Sequence, residues 1–158
     1  MYVDFIDSPI GIIRIEASDK GIRTIKRSTE KLEELPLQNE HTILAKKELS
    51  EYLTGKLEDF TVALDIDGYT EFQHSVWKEL VKIDYGKTIS YKTLAIRLGD
   101  VKKIRAAGTA NGKNPIPIII PCHRVIGSDG KMVGYSSGID MKEFLLELEG
   151  MPIQGKLF

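Results

Sequence analysis

The sequence predicts an α+β protein, with an N-terminal β-meander plus helix followed by a helical domain that carries a helix-turn-helix and a lone cysteine. Three observations carry this reading. β-branched residues cluster between turn residues over residues 2–27. From Thr70 onward, capping residues recur at helical spacing. Between the two lies an Asp- and Gly-containing linker, Asp65 to Tyr69, which sets domains of residues 1–68 and 69–158. A chain of 158 residues has room for one ordinary domain or two small ones.

In the first domain, Val3 to Ile6 reads as a short strand and Asp7-Ser8-Pro9 with Gly11 as a turn. Ile12 to Glu16 follows as a second strand, Ser18 to Gly21 as a second turn and Ile22 to Ile25 as a third strand. Residues 40–54 read as a helix with Ile43, Leu44, Lys47, Leu49, Tyr52 and Leu53 on its apolar stripe, ended by Gly55. Phe60 to Leu64 reads as one more short strand.

In the second domain, Thr70 caps a helix from Glu71 to about Ile83 with Phe72, Val76, Trp77 and Leu80 on one face. Ser90 caps Tyr91 to Leu98. After Gly99, Asp100 caps Val101 to about Ala110, so the two helices form a helix-turn-helix pattern. Asn114 to Pro121 cannot be helical, because its prolines lack donors and force their neighbours toward extended geometry, so it reads as a buried extended wall. The last helix runs from Asp140 to Glu149, with Asp140 and Glu143 at capping-box spacing and Gly150 and Pro152 beyond its end.

Composition narrows the chemistry. A single cysteine forms no internal disulfide, and His41, His74 and His123 are too scattered for a metal site, so neither metal nor cofactor is expected. No stretch approaches the roughly 20 apolar residues of a membrane span. MYVDFIDSP has acids where a secretory signal needs bases, so a cytoplasmic protein is expected. Residues 1–71 carry 9 Lys and Arg against 15 Asp and Glu, and the remainder carries 13 against 8. The basic half suggests a polyanionic partner.

Cys122 is the candidate nucleophile. The thiolate is the reactive form, and His123 and Arg124 beside it are groups that stabilise a thiolate. Adjacent side chains of an extended chain point to opposite faces, so His123 needs a turn or a bridging water to serve the thiol. Lys142 in the first turn of the last helix and Glu149 in its last turn both stand at the wrong end for the helix dipole. Each charge is therefore read as facing a site, Glu149 to orient His123 and Lys142 to stabilise a leaving group. Residues 101–114 hold Lys102, Lys103, Arg105 and Lys113 and no acid, together with Ala106, Ala107 and Gly108. Small residues let a helix backbone approach DNA, and the basic ones contact phosphates.

Pro121-Cys122-His123-Arg124-Val125 resembles the active-site motif of the O6-alkylguanine-DNA alkyltransferases (methylated-DNA–protein-cysteine methyltransferases). Gly86 to Tyr91, Arg105 to Gly108, Asn114-Pro115, Gly134-Tyr135-Ser136, Lys142 to Leu146 and Glu149-Gly150 are similar to family motifs in order and spacing. The resemblance covers residues 72–150, and the meander agrees with the family's ribonuclease-H-like domain.

The resemblance implies a suicide DNA repair enzyme. It would flip O6-alkylguanine, and O4-alkylthymine as a further substrate, from duplex DNA and move the alkyl group irreversibly to Cys122. His123 would act as base through water, and Asn114 would hold the turn between recognition helix and active site. Tyr91 and Lys142 would assist proton delivery or charge stabilisation, and Tyr135, Ser136, Val125 and Tyr91 would line the base pocket. Arg105 would take the place of the flipped nucleotide. Ala106, Ala107, Gly108, Lys102, Lys103, Thr88, Ser90 and Arg124 would contact DNA from the minor groove, with the protein a monomer that binds singly or cooperatively. Asn111, where an apolar residue occurs in relatives, and Ser137, in place of a frequent Gly, depart from the pattern. The competing readings are a non-transferring alkyltransferase-like lesion-recognition protein, which would lack the acceptor cysteine, a cysteine hydrolase and a plain helix-turn-helix regulator.

Overall fold

The computed structural model describes residues 1–31, 33–128, 135 and 137–151. Ser136, Gly134 and Pro152 of the sequence reading lie outside the described residues. The chain divides into two compact units, one of Met1–Asp67 with Pro115–Pro117, the other of Gly68–Asn114 and the chain from Ile118 on.

The first unit is an antiparallel meander, β1 (Tyr2–Ser8), β2 (Gly11–Ala17) and β3 (Ile22–Ser28), in the order β1-β2-β3. The period-2 pattern of β2 sends Ile13, Ile15 and Ala17, all at 0 % exposure, to one face. Helix α1 (Glu40–Leu53) packs on β1 and β2. Asn39 caps it with a reciprocal bond to Thr42, a start signal that the sequence reading passed over.

Two expectations fail here for the same reason. The inward face of α1 is Thr42, Ala45, Glu48, Leu49 and Tyr52, while Ile43 is 54 % exposed. Residues 60–64 form no strand, only an isolated bridge from Leu64 to Ile22. The buried Glu48 carboxylate accepts from the backbone N–H groups of Thr61 (2.9 Å) and Val62 (3.0 Å) and from the Thr61 hydroxyl (2.7 Å). A polar side chain inside the core thus takes bonds that a strand ladder would otherwise make.

The second unit is built from α2 (Glu71–Val81), α3 (Tyr91–Arg97), α4 (Ile104–Gly112) and α5 (Ile139–Leu148). A short parallel pair joins β4 (Ile89–Ser90) to β5 (Val125–Ile126). Thr70 and Gln73 form a capping box on α2, and Ser90 caps α3 by accepting from the N–H of Thr93. Gly99, at φ 95°, turns the chain where a side chain would be strained. Asp100 then caps a 3-10 turn, Val101–Lys103, that leads into α4. The buried Trp77 indole donates to the Ala110 carbonyl at 2.9 Å, fixing α2 against the end of α4.

Residues 114–121 are almost wholly buried, as a wall should be, but they are coiled into turns and not extended. Asn114 Nδ2 donates to the Ile120 carbonyl at 2.7 Å and closes the segment into a loop. Ile118 sits at φ 75°, a left-handed conformation that costs a β-branched residue about 1–3 kcal/mol. Pro115–Pro117 goes with the first unit, where the Pro115 carbonyl accepts from Ile25 at 3.0 Å. The start of α5 also differs from expectation. Gly138, at φ 104°, is the N-cap and no side chain caps the helix, so Asp140 lies inside the first turn and forms no capping box.

Candidate active site

Cys122 opens a 3-10 turn, Cys122–Arg124, directly after Pro121. Pro121 at φ −81°, ψ 64°, with the Cys122 N–H donating to the Ile120 carbonyl at 2.8 Å, makes an inverse γ-turn. A 3-10 turn spaces successive side chains by about 120°, so Cys122 and His123 are not forced onto opposite faces. The thiol is 5 % exposed and the imidazole 0 %.

His123 Nε2 lies 2.7 Å from Glu149 Oε2. A carboxylate only accepts, so Nε2 carries the hydrogen and Nδ1 keeps its lone pair. That Nδ1 is buried with no hydrogen-bond partner among the described residues. Burial holds the imidazole below its ordinary pKa, opposed by the Glu149 carboxylate, and leaves it a neutral base. Glu149 also accepts from Arg124 Nε (2.8 Å), Arg124 Nη2 (3.0 Å) and the Gly86 N–H (3.1 Å). Gly86 is at φ 76°, and a Cβ there would come within 3.2 Å of the Glu149 carbonyl, so only glycine brings its N–H this close without strain.

Burial pushes the Cys122 thiol up to about 11, against the pull of the Asn114 side chain and the nearby charge of Lys142. The resting nucleophile is therefore a neutral thiol, with about one part in ten thousand as thiolate at pH 7. Lys142 is 0 % exposed and donates from Nζ to the Val125 carbonyl at 2.6 Å. Its ammonium lies 5.9 Å from the Tyr91 ring centroid, and burial brings its pKa down to about 8. Tyr91, half-buried at the start of α3, is raised by burial and by the charge of Cys122.

A pH dependence follows with a definite sign. Alkylation of Cys122 by iodoacetamide should climb about tenfold per pH unit below 8, where Lys142 is charged, and keep rising toward 11, whereas a free thiol levels off near 9. Lys142→Met should slow the reaction below pH 8 and leave it unchanged well above. A plateau near pH 9 in the wild-type protein would contradict the buried neutral thiol.

Asn114, Tyr91, Tyr135 and Lys142 thus lie close to the buried Cys122 thiol, while Lys142 is bonded to the Val125 carbonyl and Glu149 to His123, the next residue in the chain. Several of the residues assigned to DNA are placed differently. Arg124 is 6 % exposed, bonded to Glu149 and to the Ile83 carbonyl (2.6 Å) and lying 5.7 Å from the Tyr85 ring centroid. It is a buried counter-ion and has no free fork for a phosphate. Ala107 is 0 % exposed and faces the interior, and Gly108 borders the Tyr91 ring. The small-residue approach to DNA therefore reduces to Ala106, which is exposed together with Lys102, Lys103 and Arg105. Ser90 spends its hydroxyl on the α3 cap, and Thr88 is half-buried beside it. Asn111, read from sequence only as a departure, is 1 % exposed and donates from Nδ2 to the Cys122 carbonyl at 3.4 Å.

The fold and site define a helix-turn-helix protein with one buried thiol backed by a His–Glu–Arg cluster. Residues 71–151 match the family model described as 6-O-methylguanine DNA methyltransferase, DNA binding domain, and residues 1–66 match the ribonuclease-like domain of the same family. The chain is 49% identical over 154 residues to a methylated-DNA--protein-cysteine methyltransferase of Methanosarcina barkeri, covering 94% of this chain and 97% of that one. It superimposes on the crystal structure of a Mycobacterium tuberculosis protein of this kind in complex with DNA with TM-score 0.84 and 41% identity, covering 94% and 92% of the two chains. The O6-methylguanine-DNA methyltransferase of the hyperthermophilic archaeon Pyrococcus kodakaraensis gives TM-score 0.73 and 27% identity over 94% and 98%. The chain belongs to the 6-O-methylguanine DNA methyltransferase family.

Proposed function

We propose that this protein repairs alkylated DNA by moving the alkyl group from the O6 position of guanine to its own Cys122, once per molecule. The observation that carries this is the buried thiol of a family member, followed in the chain by a histidine whose Nε2 is tied to Glu149. The same thiol disfavours a lesion reader that transfers nothing.

His123 takes the thiol proton at Nδ1 through a bridging water. The Cys122 Sγ–C bond forms as the C–O6 bond breaks, and the electron pair goes to the purine. Tyr91 delivers a proton to the departing base and is reprotonated through water from the His123 imidazolium, so the thiol proton is in net terms handed to guanine. Lys142 supplies positive charge beside the thiol and buried Asn114 holds its loop. Tyr135 and the Val125 backbone line the base pocket. The thioether product is stable, and the described residues of the site offer no group to cleave it.

Residues 1–68 serve as the N-terminal domain and 69–158 as the DNA-binding and transfer domain of a cytoplasmic monomer. Lys102, Lys103 and Ala106 meet the minor groove. The lesion base must leave the stack to reach a buried thiol, at a cost of a few kcal/mol, and exposed Arg105 fills its place. O4-alkylthymine is accepted by the same route.

Label transfer from a methylated duplex should saturate at one group per chain. Arg105→Ala should slow repair of duplex DNA on the order of tenfold or more and leave reaction with free O6-alkylguanine base unchanged. Equal losses on both substrates would remove Arg105 from base flipping, and turnover beyond one equivalent would overturn the suicide reading.

A further inference from the structure

We propose that Arg124 is a positioning residue of the transfer reaction, its guanidinium gripping both oxygens of Glu149 so that the carboxylate is aimed at His123 with its charge already offset. The inference rests on the alkyl-transfer reading above and deepens it by a residue that the reaction scheme leaves out.

Arg124 meets Glu149 with a two-pronged fork. Nε donates to Oε1 at 2.8 Å and Nη2 to Oε2 at 3.0 Å. A planar fork on a planar carboxylate fixes the orientation of both groups, which a lysine ammonium does not do. Oε2 is also the oxygen that accepts from His123 Nε2 at 2.7 Å. Cation and imidazole therefore share one acceptor atom. The guanidinium is held from its other side as well, where Nη1 donates to the Ile83 carbonyl at 2.6 Å and the Tyr85 ring centroid stands 5.7 Å from the guanidinium carbon. The Tyr85 hydroxyl donates to the carbonyl of Leu148, the residue before Glu149, at 3.3 Å. Arg124, Glu149 and His123 are all buried, so solvent screens these charges little.

The chemistry needs both the aim and the offset. A buried carboxylate facing an imidazole without a second cation draws a proton onto the ring. The imidazolium so formed carries hydrogen on both nitrogens and has no lone pair left for the thiol proton. His123 must also give up the proton that it takes, since Tyr91 is reprotonated from it, and a base held too strongly by Glu149 would keep it. Burial is the largest influence holding the imidazole down. The Glu149 carboxylate, at the end of α5, opposes it, and the charges of Arg124 in the same turn and of Lys142 on α5 add to it. Cys122, the residue before His123, is a neutral thiol.

The test is an imidazole NMR titration of the whole protein, with the His123 signal identified by its loss in His123→Gln. Single-turnover transfer from methylated duplex, duplex affinity and thermal unfolding are read in parallel. Arg124→Gln should move the His123 titration upward by on the order of one pH unit. It should slow transfer at pH 7 on the order of tenfold at unchanged duplex affinity. Adding Glu149→Gln to Arg124→Gln removes the unpaired carboxylate, so the titration should fall back toward its wild-type position, a reversal that lost packing alone would not produce. A His123 titration unmoved by Arg124→Gln, or transfer as fast as in the wild-type protein, overturns the role of Arg124. Should Arg124→Gln not fold, Arg124→Lys carries the test, because it keeps the charge and loses the fork. Slowed transfer with the titration in place is then expected, and transfer at the wild-type rate overturns the role of the fork. The titration needs no substrate, so wild-type protein that transfers nothing would sink the alkyl-transfer reading and leave the coupling of Arg124, Glu149 and His123 standing.

Discussion

Cys122→Ser should abolish alkyl transfer while leaving duplex binding and fold in place. The change is nearly isosteric, and the new hydroxyl can still accept from Asn114. What it lacks is nucleophilicity: a hydroxyl ionises several units above a thiol and is a weaker nucleophile toward an sp3 carbon. The exposed Lys102, Lys103 and Arg105 are untouched, so phosphate contacts persist. Gel-shift affinity for an O6-methylguanine duplex, read beside methyl transfer, checks both halves. Residual transfer in the serine variant would place the acceptor elsewhere.

Glu149→Ala should be the most damaging change to stability. The carboxylate accepts from His123, twice from Arg124 and once from the Gly86 backbone, all in a buried setting. Removing it leaves the Arg124 guanidinium buried with, among the described residues, the Ile83 carbonyl and the Tyr85 ring as its neighbours. Breaking a buried pair from one side costs about 3–5 kcal/mol, a large share of the roughly 5–15 kcal/mol that holds a domain folded. The urea midpoint should fall accordingly, and Glu149→Gln, which keeps the shape, should fall less. In the Gln variant the carbonyl side of the amide can still hold His123, but with less preference for the Nε2–H tautomer, so transfer should slow at unchanged DNA affinity. An unchanged urea midpoint in the alanine variant would mean that Arg124 has another counter-ion.

The meander and most helix starts were legible because their signals are local. β-branched alternation with Gly and Asp turns marks the three strands, and Thr70, Ser90 and Asp100 each cap within three residues. Glu149 was legible as a charge at the wrong end of its helix, and the bond to His123 accounts for that placement. What stayed hidden depends on partners distant in sequence. Arg124 looks like a DNA contact until its carboxylate, 25 residues away, is found. Thr42 and Glu48 look solvent-facing until the backbone of Thr61 and Val62 turns Glu48 inward. Ala107 belongs to a small-residue run whose inward and outward members differ only by helical phase. The wall before Cys122 is apolar in sequence, but its coiling needs the Asn114–Ile120 bond and a strained Ile118.

Peptide mass mapping after reaction with an O6-methylguanine duplex tests the central claim most directly. The account predicts one added methyl, on the peptide containing Cys122, saturating at one per chain. An unmodified Cys122 in protein that has bound the lesion, or a methyl found on any other residue, would contradict it.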